Sequence, residues 1–141
     1  MASVSNITFD CENPRELATF WSHVLGYPPV EYPDELRRQL LSSGMTEDQL
    51  ADRWIAESPD GSGPRLFFQR VPEKKERKNR VHLDLRTFPD RRAAPAEVDA
   101  EKDRVVALGA TVVRLVDGMW GPHPEYHWVL QDPEGNEFCI Q

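Results

Sequence analysis

Near the start of the chain apolar and polar positions alternate. Ile7, Phe9 and Cys11 fall on one side, and Asn6, Thr8 and Asp10 on the other. A period of two with β-branched and aromatic content predicts a strand with one apolar and one polar face. Asn13-Pro14-Arg15-Glu16 then gives a helix start, with Asn at the cap, Pro at the first helical position and Glu at the third. Leu17, Phe20, Trp21, Val24 and Leu25 follow at helical spacing until Gly26 stops the helix. Phe20 and Trp21 are expected to pack on the sheet and His23 to face solvent, with Cys11 in the core.

Pro28, Pro29 and Pro33 make the next stretch irregular. A short helix is expected over Asp34–Leu41, ending near Gly44. Thr46-Glu47-Asp48-Gln49 is a second capping signature, leading into Leu50, Trp54 and Ile55. Residues 54–57 read equally as the end of that helix or as a strand. Pro59–Pro64 reads as a turn and Leu66–Val71 as a strand. The charged run Lys74–Arg80 reads as a solvated linker, with an anion clamp as the alternative. Val81, Leu83 and Leu85 then alternate with His82, Asp84 and Arg86, predicting a strand over 81–86. A helix over Glu97–Leu108 is expected to turn Val98, Val105 and Leu108 inward, with Gly109 ending it. Strands follow over 110–116 and 126–131, then the tight turn Asp132-Pro133-Glu134-Gly135-Asn136 and a last strand over 137–141.

The order of these elements repeats. Halves near residues 4–72 and 80–141 each read as a β-α-β-β-β unit, with negligible sequence identity between them. Neither half buries both its sheet and its helix alone, so the two are expected to form one α+β domain over 1–141.

Composition narrows the function. The 141 residues carry 17 basic against 24 acidic side chains, a net charge of −7, which disfavours a nucleic-acid partner. No apolar run approaches the roughly 18 residues of a membrane span. The N-terminus lacks basic residues and an apolar stretch, so the expectation is a cytoplasmic protein with no signal peptide and no membrane partner. Two cysteines far apart in sequence make no disulfide framework.

Three segments resemble the vicinal oxygen chelate superfamily of glyoxalases, bleomycin-resistance proteins and dioxygenases. Asn13–Tyr27 is similar to the first helix of that family, with its aromatic pair and Leu-Gly-aromatic ending. Asn79-Arg80-Val81-His82-Leu83-Asp84-Leu85 is similar to the opening strand of its second module. Asp132-Pro133-Glu134-Gly135-Asn136-Glu137-Phe138-Cys139 is similar to its final turn and strand. The likeness covers nearly the whole chain and explains residues 31–52, a helical insertion, least. The resemblance implies paired modules forming a curved sheet with a central cleft, a small-molecule ligand, a homodimer, and a divalent metal such as Zn, Ni, Mn or Fe. Carried over by position, the metal ligands are Asn6, Gln69 and His82, with Cys139 where the family usually has Glu and Glu137 two residues earlier.

If the helices cover the apolar faces, the cleft side carries Asn6, Thr8, Asp10, His82, Asp84, Arg86, Glu137, Cys139 and Gln141. His82 is then the one histidine of the cleft. A metal held by His82 and Glu137, with Gln69 and Asn6, polarises a substrate oxygen while a carboxylate moves a proton. Without metal, His82 beside Glu137 or Asp84 is an acid–base pair, or Asp84 and Arg86 simply pair with each other. Cys139 reads as a passive small residue or as a nucleophile. Asp84 and Arg86 are candidate substrate contacts, as are Phe67, Trp54 and the loop residue Trp120. The two function readings are a lyase, isomerase or dioxygenase-type enzyme and a non-catalytic sequestering protein of the bleomycin-resistance kind. A dimer with a vestigial cleft is a third.

Overall fold

The alternation at the start of the chain forms strand β1 (Ile7–Cys11), and the amphipathic segment forms helix α1 (Pro14–Leu25), with Asn13 at the N-cap position but making no side-chain capping bond. Gly26 closes α1 with φ 69°, the left-handed conformation that glycine adopts without a Cβ penalty. The structure, a computed structural model, describes all residues 1–141. It divides into two compact units, Met1–Lys74 and Lys75–Gln141.

In the first unit, α1 is followed by α2 (Asp34–Ser42), α3 (Glu47–Ala51), β2 (Arg53–Ala56) and β3 (Leu66–Arg70). The sheet order is β1-β3-β2, with β1 parallel and β2 antiparallel to β3. Register puts Ile7, Phe9, Leu66, Phe68, Trp54 and Ala56 on one face. Against that face α1 buries Leu17, Phe20, Trp21 and Val24. The Phe9 ring lies 5.3 Å from Trp21 and 5.1 Å from Phe68. Cys11 is buried here and His23 is exposed. The opposite face carries Thr8, Asp10, Phe67 and Gln69.

The expected repeat is uneven. The first unit has three strands, and the insertion supplies α2 and α3 between α1 and β2. The proline-rich entry and the charged residues of α2, none of them buried, leave nothing there to build a sheet edge. Thr46 and Gln49 form the expected capping box, with bonds of 3.2 and 2.9 Å. Residues 53–56 are strand, which resolves the ambiguity at Trp54.

The second unit runs β4 (Asp84–Leu85), α4 (Pro95–Ala107), β5 (Thr111–Trp120), β6 (His123–Gln131) and β7 (Glu137–Ile140). Its sheet order is β4-β7-β6-β5, with β4 parallel to β7 and the other pairs antiparallel. Val98 and Val105 of α4 are buried on the face carrying Leu130, Phe138 and Ile140, while Leu108 is half-buried.

The strand expected over 81–86 shrinks to Asp84–Leu85, and Val81 is 79% exposed rather than core. The Asn79 side chain takes the place of a strand residue: it accepts from the Glu137 N–H at 2.8 Å and donates to the Glu137 carbonyl at 3.1 Å. The loop expected around Trp120, between the strands read over 110–116 and 126–131, is instead the end of a long hairpin, with Trp120 paired to His123 across the two-residue turn Gly121-Pro122. Gly121 has φ 56°, the positive value such tight turns favour.

Candidate functional site

The polar face of the second unit's sheet is built by register. Parallel pairing sets Asp84 beside Cys139, and antiparallel pairing sets Cys139 beside Val129 and Val129 beside Arg114. His82 precedes Asp84 by two residues and reaches it, with Nε2 3.3 Å from Asp84 Oδ1. Ligand atoms of His82, Asp84 and Cys139 all lie within 4.8 Å of one another. His82 and Asp84 are exposed, whereas Cys139 is buried. Burial, with the Asp84 charge and hydrogen bond adding to it, pushes the Cys139 thiol up to about 11. At neutral pH it is a protonated thiol, so a nucleophilic thiolate is disfavoured.

These three groups stand at the wall of a cavity of about 710 Å³ lined only by residues of the second unit. Arg86, His127 and Gln141 extend the wall along the strands. Asp90, Arg91 and Arg92, from the segment leading into α4, form its other side, with Pro124 and Glu125 of β6. Arg91 is clamped to Glu97, its two terminal nitrogens donating one to each carboxylate oxygen, at 2.9 and 2.7 Å. That bond and the Ala94 N–H hold the Glu97 carboxyl at about 2. Tyr126 hydroxyl and Trp128 Nε1 donate to the same oxygen of Asp99, at 2.9 and 2.7 Å, tying β6 to α4.

The expected site residues distribute unevenly. His82, Asp84 and Arg86 are brought to the cavity. Asp84 pairs with His82 and not with Arg86. Glu137 lies on the same face as Cys139, but its carboxylate is ion-paired to Lys78. Asn6 and Gln69 belong to the first unit, where Asn6 Oδ1 accepts from Arg65 at 3.3 Å and Gln69 donates to Asp10 at 2.7 Å. Phe67 faces the polar side of its sheet. Trp54 stands on the α1 side, its ring 5.1 Å from Tyr32 and 5.4 Å below the Arg15 guanidinium. Trp120 lies at the hairpin end, 71% exposed and stacked on His123.

His127 corrects the count of cavity histidines from one to two. The signal was present in the sequence: Tyr126, Trp128 and Leu130 are the apolar set of β6, which leaves His127 for the other face. Asp90, Arg91 and Arg92 gave no such signal, because an irregular segment has no period from which to read its facing.

The donor set, the polar sheet face and the uneven β-α repeat together describe one architecture. Residues 6–141 match the family model described as a glyoxalase-like domain. The chain belongs to the glyoxalase-like domain family. No curated protein matches this sequence. Among solved structures, this glyoxalase-like domain is similar to a glyoxalase/bleomycin resistance protein/dioxygenase family enzyme from Burkholderia phytofirmans, at 17% identity and TM-score 0.62, covering 99% of this chain and 97% of that one. A glyoxalase-related enzyme from Fulvimarina pelagi aligns at 18% identity and TM-score 0.63, covering 99% and 87%. A mutant of the fosfomycin resistance protein FosX from Listeria monocytogenes, complexed with Mn(II) and dihydroxypropylphosphonic acid, aligns at 11% identity and TM-score 0.64, covering 100% and 90%. At these identities the likeness carries the fold. No helix of this chain is long and apolar enough to cross a membrane.

Proposed function

We propose that this glyoxalase-like domain binds a small organic molecule in the cavity of residues 75–141 and acts on it as a metal-assisted lyase or isomerase. The observation that carries the reading is the convergence of His82, Asp84 and Cys139 at the cavity wall. Imidazole nitrogen, carboxylate oxygen and sulfur are together a donor set for a borderline divalent ion such as Zn²⁺, and three protein ligands leave a position for substrate. A metal complexed in the FosX relative supports a divalent ion here as well.

The metal when bound supplies a Lewis acid that polarises a substrate carbonyl or enediolate oxygen. The chain's own residues do the rest. Asp84 orients His82 through their 3.3 Å contact. Glu137, anchored by Lys78 and by Asn79, is the second carboxylate of this face and takes the part of proton carrier. Arg86 and His127 contact the ligand from the wall. The exposed apolar side chains Val112, Val113 and Leu115 of the edge strand β5 support a homodimer, and a cytoplasmic location is part of the proposal.

Calorimetric titration of the purified protein with Zn²⁺, Ni²⁺, Mn²⁺ and Fe²⁺ tests this. Stoichiometric binding to the wild type, lost in His82→Ala and weakened in Cys139→Ser, is the expected result. Wild type that takes up no divalent ion overturns the metal-assisted reading and leaves the metal-free ones, an acid–base pair at His82 and Asp84 or a non-catalytic binding protein.

A further inference from the structure

Three arginines line the cavity, and two of them are committed. Arg91 is clamped to Glu97 and lies 3.6 Å over the Phe88 ring. Arg92 donates to the Pro124 carbonyl at 2.5 Å. Arg86 lines the same cavity and makes neither hydrogen bond nor ion pair with the chain, so its five N–H donors are available.

The sheet fixes where those donors sit. Gln141 N–H donates to Leu85 O at 2.9 Å and Thr87 N–H to Gln141 O at 2.8 Å, which sets Arg86 beside Gln141. Pairing of Trp128 with Ile140 sets His127 on the other side of Gln141. Arg86, Gln141 and His127 therefore form one cross-strand row. Asp84 and Cys139 form the next, roughly 7 Å away along the strands.

We propose that the substrate carries a carboxylate, held by Arg86 with His127 across the row, while its reacting end reaches Asp84 and Cys139. The location of the reacting end rests on the proposed function above. A planar guanidinium matches a carboxylate through two parallel hydrogen bonds. With the two rows set apart along the strands, a carboxylate separated from the reacting carbon by a spacer fits better than a 2-oxo acid, in which the two are directly bonded. Asp90 and Glu125 also line the cavity, yet 24 acidic against 17 basic residues leave carboxylates unpaired by number alone. Arg86 is exposed, and its guanidinium is left to water or to a ligand at the cavity wall.

The test uses levulinate and its neutral amide as probes, followed by amide chemical-shift titration of the full chain. Levulinate is expected to bind the wild type about tenfold more tightly than the amide, as charge-assisted hydrogen bonds imply. Arg86→Gln removes the preference, Arg86→Lys retains part of it, and Trp120→Ala, outside the cavity, keeps it. Levulinate that causes no shifts in the wild type, or no more than the amide, overturns the proposal, as does a preference that survives Arg86→Gln. Failure of the metal titration with the carboxylate preference intact overturns only the metal-assisted reading.

Discussion

Asp84 lies directly beside Cys139 in the parallel pairing of β4 with β7, so a carboxylate faces a buried thiol. The pairing makes the thiol a weak acid twice over, through burial first and the Asp84 charge second. It also brings oxygen and sulfur together beside an imidazole at one point of the sheet.

Alkylation reads that relationship directly. In a Cys11→Ser background, Cys139 is expected to react slowly with iodoacetamide at pH 8, because only a small fraction is thiolate with the thiol pushed up to about 11. Asp84→Asn removes the charge that opposes ionisation, and a several-fold faster reaction is expected. An unchanged rate would show that burial alone governs this thiol.

The fold was legible where the governing interactions are local. Alternation at residues 7–11, the helix start at Pro14 and the Thr46–Gln49 box each involve neighbours within a few residues, and each element forms where expected, although Asn13 makes no side-chain capping bond. Long-range substitutions were not legible. Nothing near Asn79 in sequence announces that its side chain will serve Glu137, 58 residues on, and so shorten β4. The facing of Trp54 depends on its pairing with Phe68, which only the assembled sheet fixes. At the candidate site, His82, Asp84 and Arg86 follow from strand alternation. The pairing of Glu137 with Lys78 does not, because Lys78 sits in a charged run without periodicity.

The Arg91–Glu97 clamp gives the stability a defined acid limb. The folded Glu97 carboxyl is held at about 2, below its ordinary 4.5. A depressed folded value contributes stability that is complete above the unfolded value and is lost as pH falls through the folded one. Glu97→Gln is therefore expected to lower the thermal midpoint at neutral pH. Its deficit relative to wild type should shrink as pH falls from about 4.5 to about 2. A deficit of constant size across that window would assign the loss to something other than the charged clamp.

The Trp120 end of the hairpin is expected to be energetically quiet. Its ring is 71% exposed and touches His123 only at 6.2 Å between centroids. Trp120→Ala should change unfolding free energy by no more than about 0.5 kcal/mol. It should also leave the levulinate shifts untouched, because Trp120 does not line the cavity of the second unit. A weakened levulinate titration would show that the hairpin end reaches the ligand in solution.

Asn79 carries more than its exposure suggests. Its amide oxygen accepts from the Glu137 N–H, while its nitrogen donates to the Glu137 and Val81 carbonyls at 3.1 and 2.6 Å. Those bonds hold the start of β7, from which Glu137 and Cys139 project. Asn79→Ala leaves the Glu137 backbone groups without that partner, at a cost of about 1–3 kcal/mol in denaturant unfolding. Asn79→Asp keeps the acceptor and loses the donor, so its cost should be intermediate. If β7 positions the site residues, Asn79→Ala should also speed Cys139 alkylation, since fraying at Glu137 exposes the thiol two residues on. A variant that loses stability with Cys139 still as protected as in the wild type would confine Asn79 to the scaffold.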